Sequence, residues 1–76
     1  MNNVRRKALQ KIADKLEDLK CELESLKDEE EEYRDNMPEN LQGSERYEKS
    51  DEACDNLQSA YDSFEEAVSY IEEAIT

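Results

Sequence analysis

The fold is decided by nine residues near the middle of the chain, Asn36-Met37-Pro38-Glu39-Asn40-Leu41-Gln42-Gly43-Ser44. They contain the only proline and the only glycine of the 76 residues. Pro38 has no backbone N–H to donate, and it disfavours a helical conformation at Met37. Gly43 can adopt a left-handed conformation, and Ser44 can cap a new helix. The stretch therefore predicts a corner, residues 36–44, between two helices.

Before the corner, apolar residues recur at alternating steps of three and four, which is the pattern of a coiled coil. The residues at heptad position a are Leu9, Leu16 and Leu23, and those at position d are Ile12, Leu19, Leu26 and Tyr33. Both positions are predicted to face the partner helix. Glu30 lies at position a and interrupts this seam. With Asn2 or Asn3 as its cap, one helix is predicted over residues 3–35.

After the corner, the same alternation continues without a break. The series is Tyr47, Ser50, Cys54, Leu57, Tyr61, Phe64, Val68, Ile71 and Ile75. Alanines occupy successive g positions beside it, and we call them the alanine column: Ala53, Ala60, Ala67 and Ala74. Because small residues let another helix approach closely, the alanine column and Tyr70, at position c, form a candidate helix-packing face. A second helix is predicted over residues 45–75.

Two helices of similar length joined by a short connection are expected to pack antiparallel. The sequence thus predicts an all-α fold, in which residues 1–76 form one antiparallel two-helix coiled-coil hairpin. A register that pairs Glu30 with Ser50 is favoured, and a slip of one heptad stays open. Chains this short rarely stabilise themselves with a single core, so a homodimer that forms a four-helix bundle is a further expectation.

The charge is unevenly distributed along this hairpin. The chain has a net charge of −12, and residues 22–55, with fourteen acids and four bases, carry −10 of it. The corner half contains the candidate partner-binding residues, which we call the acidic end: Glu29, Glu31, Glu32, Asp35, Glu39, Glu45 and Glu48. Such a surface repels nucleic acid and attracts basic protein surfaces.

The opposite end of the hairpin carries a basic segment at the start of the first helix. Arg5, Arg6 and Lys7 meet the positive end of that helix's dipole, which is unfavourable. The second helix is expected to offset these charges with four acids of its last turns, Glu65, Glu66, Glu72 and Glu73.

Several residue patterns argue against catalysis and against a bound cofactor. The chain has no histidine, and no serine or cysteine has an activating base near it in sequence. Hard cations need converging oxygens, whereas the consecutive glutamates of residues 29–32 diverge around a helix. We expect no enzymatic activity, no metal and no cofactor. Cys21, at the exposed position f, and Cys54, at position a, are expected to be free thiols.

The same sequence predicts a cytoplasmic protein that does not enter membranes. No apolar run approaches the roughly 18 residues that a membrane span requires. Residues 1–11 lack the apolar core of a signal peptide, so none is expected.

From Glu32 to Glu48, the corner and its flanks read Glu-Tyr-Arg-Asp-Asn-Met-Pro-Glu-Asn-Leu-Gln-Gly-Ser-Glu-Arg-Tyr-Glu. This stretch resembles a group of small acidic helical proteins of Firmicutes bacteria, including those of their prophages and mobile elements. The resemblance extends over essentially the whole chain, and its specific part is the corner. It implies a setting but no catalytic or binding residues.

Two hypotheses of function follow. In the first, the chain is a protein-binding module whose acidic end occupies a basic surface of a host or defence protein, such as a nucleic-acid-binding surface. In the second, it is a self-associating structural or adaptor bundle, and its charge serves solubility.

Overall fold

The computed structural model describes all 76 residues as an antiparallel pair of helices. Helix α1 spans Asn3–Asp35, a short 3-10 turn spans Glu39–Leu41, and helix α2 spans Glu45–Ile75. The two helices pack along their length into a rod of 59 × 15 × 13 Å. The predicted all-α hairpin is thereby confirmed.

Both helices begin at a side-chain cap of the predicted kind. The Asn2 side chain accepts a hydrogen bond from the backbone N–H of Arg5 at 2.7 Å. The Ser44 hydroxyl accepts one from the backbone N–H of Tyr47 at 3.3 Å. Each cap satisfies a donor that a helix terminus would otherwise leave without a partner.

The corner turns by a route that differs from the prediction at one residue. Gly43 does not have a positive φ, so the expected left-handed residue is absent. The change of direction comes instead from extended Pro38 and the 3-10 turn, in which the Leu41 N–H donates to the Pro38 carbonyl at 2.9 Å. Met37 is buried beneath this turn and closes the end of the seam.

The register of the two helices is marked by a polar contact within the seam. The Ser50 hydroxyl donates to the Glu30 carboxylate at 3.2 Å, which confirms the predicted pairing of these residues. On α2, the buried residues Cys54 and Val68 lie on the predicted face. A carboxylate therefore lies where a coiled coil usually places an apolar side chain.

The prediction for α1 is wrong at heptad position d. The solvent-exposed fraction of the residue surface is 59% at Leu26 and 50% at Tyr33, and Ile12 and Leu19 are nearly as exposed. Position e takes their place against α2, with Ala13 at 1% exposure. The residues that follow Ala13 at position e are basic: Lys20, Lys27 and Arg34.

Helix α1 is thus rotated about its own axis, relative to the heptad prediction, so that position e and not position d faces α2. The charges at the e positions of both helices explain this rotation. Lys20 and Arg34 lay their aliphatic stems along the seam while their charged groups reach acids of α2. Turning position d inward would move these cations away from Glu65 and Asp51. The hairpin therefore has one side closed by ion pairs between the helices, which we call the ion-pair face.

Candidate protein-binding surfaces

The acidic end combines neutralised and free carboxylates. Three of its residues form ion pairs with neighbouring bases: Glu31 with Lys27 at 3.2 Å, Asp35 with Arg34 at 3.0 Å, and Glu45 with Lys49 at 3.2 Å. The remaining four, Glu29, Glu32, Glu39 and Glu48, are exposed and have no ion pair. The hairpin thus leaves four carboxylates of this end without an ion pair, and Arg46 lies in the same groove as two of them, Glu29 and Glu32.

These carboxylates point in two directions. Glu29 and Glu32 line a groove of about 460 Å³ at the corner, together with the apolar side chains of Tyr33, Met37 and Leu41. By helical position, Glu31, Asp35 and Glu48 project away from that groove. Glu45 lines an adjoining groove that shares Tyr33 and Arg46 with the first. The acidic end therefore has a groove of mixed apolar and charged lining on one side and a polar surface on the other.

The side of the rod opposite the ion-pair face is apolar and uncovered, and we call it the open face. Near its middle, Leu16 and Phe64 line a groove of about 350 Å³. Ile12 and Leu19 lie four residues before and three after Leu16, which makes them its neighbours on the surface of α1. Together with Leu26 and Tyr33, they form the d stripe of α1, which runs from the groove to the corner.

The alanine column borders the same face on α2. Ala60 and Ala67 line the groove with Leu16, and Ala53 is likewise half-buried. Ala74 is exposed near the end of α2, and Tyr70 is 64% exposed. The predicted helix-packing residues thus lie beside the d stripe, which the heptad pattern had assigned to the interior.

One signal in the sequence could have identified the d stripe as surface. Lys20, Lys27 and Arg34 recur every seven residues at position e of α1, and Asp51 and Glu65 occupy position e of α2. In an antiparallel pair these positions meet, so opposite charges there favour position e at the interface. Position d of α1 is then left on the outside.

The basic amino-terminal segment is not neutralised within the hairpin, contrary to the prediction. Arg5, Arg6 and Lys7 form no ion pair, and Glu65 pairs with Lys20 at 4.0 Å instead. Lys11 and Lys15 also have no ion pair. Five cations in about the first three and a half turns of α1 therefore remain exposed to solvent.

Two titrating groups of the seam respond to their surroundings. Burial raises the pKa of the Cys54 thiol above its ordinary value. Burial acts to lower the pKa of Lys20, but Glu17, Tyr61 and Glu65 raise it on balance. Cys54 is buried and Cys21 exposed, and both are free thiols. Neither change creates an activated nucleophile, since a raised thiol pKa reduces the thiolate fraction.

No three acidic or thiol side chains converge in an arrangement that could hold a metal ion. Neither helix contains a stretch that is both long and apolar enough to cross a bilayer. Comparison with protein-family models, curated proteins and solved structures finds no match for this chain. The two surfaces that the geometry offers are the acidic end and the open face.

Proposed function

We propose that this chain is a non-enzymatic protein-binding module whose acidic end occupies a basic surface of another protein. The observation that supports the proposal is the excess of exposed carboxylates in the corner half, where fourteen acids outnumber four bases and four residues of the acidic end have no ion pair. A field of this kind attracts a basic partner and speeds its association.

A basic nucleic-acid-binding surface is the partner surface that fits this end best. Carboxylates at regular helical spacing can stand where phosphates stand in a nucleic acid. The resemblance of the corner to small acidic proteins of Firmicutes prophages and mobile elements adds a setting, in which the partner is a host or defence protein.

The test begins with affinity capture from a Firmicutes lysate and continues with the purified partner. The variant Asp35→Lys, Glu45→Lys, Glu48→Lys reverses three outward charges of the acidic end. We expect it to weaken partner binding at least tenfold. Circular dichroism checks that helix content is kept, because reversal at Glu45 and Glu48 also removes favourable charge from the start of α2.

A matched control reverses three exposed charges in the other half of the rod, Asp62→Lys, Glu72→Lys and Glu73→Lys. The net charge of the two variants is the same, but the first also removes the ion pairs of Asp35 and Glu45, so a difference in affinity reports position only when both variants keep the wild-type helix content and melting temperature. If both variants lose affinity equally, general attraction explains binding and the acidic end is not the site.

The second candidate function is a self-associating structural or adaptor bundle. It is favoured by a different observation, the row of half-exposed apolar side chains on the open face. The two functions share Glu29 and Glu32, which belong to the acidic end and also lie beside Tyr33 of the open face.

A further inference from the structure

The open face is too large and too apolar to be explained by the hairpin alone. Ile12, Leu19, Leu26 and Tyr33 are each about half-exposed, and no large side chain of the hairpin is fully buried. The d stripe runs over residues 12–33, or about 32 Å at roughly 1.5 Å per residue, on a rod 59 Å long and 15 Å wide. A contact along this side has room for the roughly 800 Å² that each partner buries in a stable interface.

We propose that the open face binds a second copy of this chain in antiparallel orientation, which gives a four-helix bundle. This rests on the second candidate function, the self-associating bundle, and deepens it by naming the contact surface and the orientation. The two-fold axis would run across the rod, so that each corner lies beside the termini of the other copy.

Charge decides the orientation. In a parallel dimer, the two corner halves, each with −10, would lie side by side. In the antiparallel dimer, each corner half lies beside a terminal half. Residues 1–21 have six bases and three acids, a charge of +3, and residues 56–76 have five acids and no bases, a charge of −5, so the terminal half carries −2. Repulsion between the copies is therefore much smaller in the antiparallel arrangement.

The d stripe is complementary to itself in this orientation. When Leu19 faces Leu26 of the second copy, the same alignment places Ile12 opposite Tyr33 of the second copy. The alanine column follows to within about two residues, or roughly 3 Å. Ala53 then faces Ala60 of the second copy, and two small residues allow α2 and its counterpart to approach closely.

The same alignment brings together charges that have no partner within the hairpin. Lys15 lies beside Glu29 of the second copy, and Lys11 lies beside Glu32 of the second copy. Opposite charges on the flanks of a helical seam set orientation and partner choice. The two-fold axis repeats both contacts, so the dimer contains four of them.

The alignment also has one unfavourable contact, which serves as a marker of the register. Glu22 flanks the d stripe near the two-fold axis and faces Glu22 of the second copy. Glu31, Asp35 and Glu48 project away from the interface by helical position. The dimer therefore engages Glu29 and Glu32 and leaves Glu39 and Glu48 as the carboxylates without an ion pair near each end, where a basic partner can still bind.

Sedimentation equilibrium of the pure protein tests the dimer. We expect twice the chain mass of 8.9 kDa. Leu26→Glu should weaken the dimer at least tenfold and leave helix content unchanged, because Leu26 is already 59% exposed in the hairpin. The control Gln58→Glu adds the same charge at an exposed position on the other side of the rod and should leave the mass unchanged. A monomer at 100 μM wild-type protein, on the order of a weak complex's dissociation constant, would overturn the proposal.

Two variants of Glu22 test the orientation. Glu22→Gln removes the like-charge contact and should tighten the dimer several-fold. In a Cys21→Ser background, Glu22→Cys should yield a disulfide-linked dimer on mild oxidation, whereas Asp14→Cys, on the outer side of α1, should not. A dimer that Glu22→Cys fails to cross-link would contradict the antiparallel arrangement. None of these measurements involves the basic partner, so their failure leaves the proposed function to be judged separately.

Discussion

The Arg34 guanidinium of α1 donates to the Asp51 carboxylate of α2 at 2.9 Å, which joins the two helices next to the corner. Ion pairs with this much exposure couple by about 0.2–1 kcal/mol. A double-mutant cycle with Arg34→Gln and Asp51→Asn should give a coupling of that size. Each single variant should lower the melting temperature by a few degrees, since about 1 kcal/mol corresponds to roughly 4–8 °C in a domain of this size.

Salt provides the check on this electrostatic contribution. The coupling between Arg34 and Asp51 should decline as salt rises, because exposed charges are screened. The pair of Lys49 and Glu45, which lies within α2, is the matched control. Its loss should change helix content slightly and leave contacts between the helices intact. A coupling that is zero at low salt would show that the first pair does not hold the helices together.

The stem of Lys27 is expected to stabilise the hairpin more than its charge does. Its side chain is 11% exposed, and its ammonium group lies 3.2 Å from Glu31 of the same helix. Lys27→Met retains most of the packed stem and should cost less than about 0.5 kcal/mol. Lys27→Ala removes three methylene groups and should cost about 1–2 kcal/mol. Thermal denaturation of both variants measures the difference, and equal losses would indicate that the ion pair dominates.

The existence of two helices and their antiparallel pairing could be predicted from the sequence, because the heptad pattern and the break at Pro38 both act locally. The side of α1 that faces α2 could not be predicted from apolar residues alone. Position a is fixed by Leu9, Leu16 and Leu23, and the apolar d stripe lies on one side of it. The competing e positions hold Lys20, Lys27 and Arg34, whose stems also cover apolar surface. The choice between the two sides depends on acids of the other helix.

At the corner, the backbone conformation of one residue, Gly43, also could not be predicted from the sequence. Glycine tolerates the left-handed conformation, but its presence does not require that conformation. At Gly43 no atom lies within 4 Å of the place where a Cβ would be, and φ is not positive. The start of α2 was predictable, because the cap at Ser44 depends on that residue's own side chain. The concentration of negative charge at the corner was also predictable, because it can be counted in the sequence. The open face was not, because it depends on the rotation of α1 about its axis.

The contact between Glu30 and Ser50 is expected to limit stability. A neutral or charge-assisted hydrogen bond contributes only about 1–2 kcal/mol net, whereas burial of a leucine contributes about 1.5–3 kcal/mol. Glu30→Leu with Ser50→Ala replaces both partners by apolar groups and should raise the melting temperature by several degrees. Glu30→Leu alone should raise it less, because the Ser50 hydroxyl, which is buried, loses its acceptor. Thermal scans that show a lower melting temperature for the double variant would indicate that this polar contact is needed for the fold.

Stability is expected to fall in alkaline solution. Burial raises the pKa of Cys54 above its ordinary value of 9.0, and burial also raises that of Tyr61 above 10.0. The hydrogen bond with Glu31 raises the pKa of Lys27 above 10.5. A group with a raised pKa binds its proton more tightly in the folded state. Its stabilising contribution is therefore complete below the ordinary pKa and is lost as the pH rises through the folded value.

Melting temperatures across a pH series measure this loss. The wild-type protein should be insensitive to pH just below 9.0 and become less stable above it. In Cys54→Ala the contribution of the Cys54 thiol to stability is absent. The melting temperature should therefore begin to fall nearer to pH 10.0, the ordinary pKa of tyrosine. A decline with the same onset in both proteins would show that Cys54 is not responsible.

Salt should affect the two proposed complexes in opposite directions. The complex with a basic partner forms by attraction between unlike charges, so it should weaken as the Debye length falls from about 10 Å at 0.1 M to about 3 Å at 1 M. The dimer joins two chains of net charge −12, and its interface is mainly apolar. Screening of their long-range repulsion should therefore strengthen it. Affinity for the partner and sedimentation of the pure protein, both measured across one salt series, test the pair of predictions. Partner binding that persists at 1 M salt and tolerates Asp35→Lys, Glu45→Lys, Glu48→Lys would exclude the acidic end as the binding site, whether or not the dimer forms.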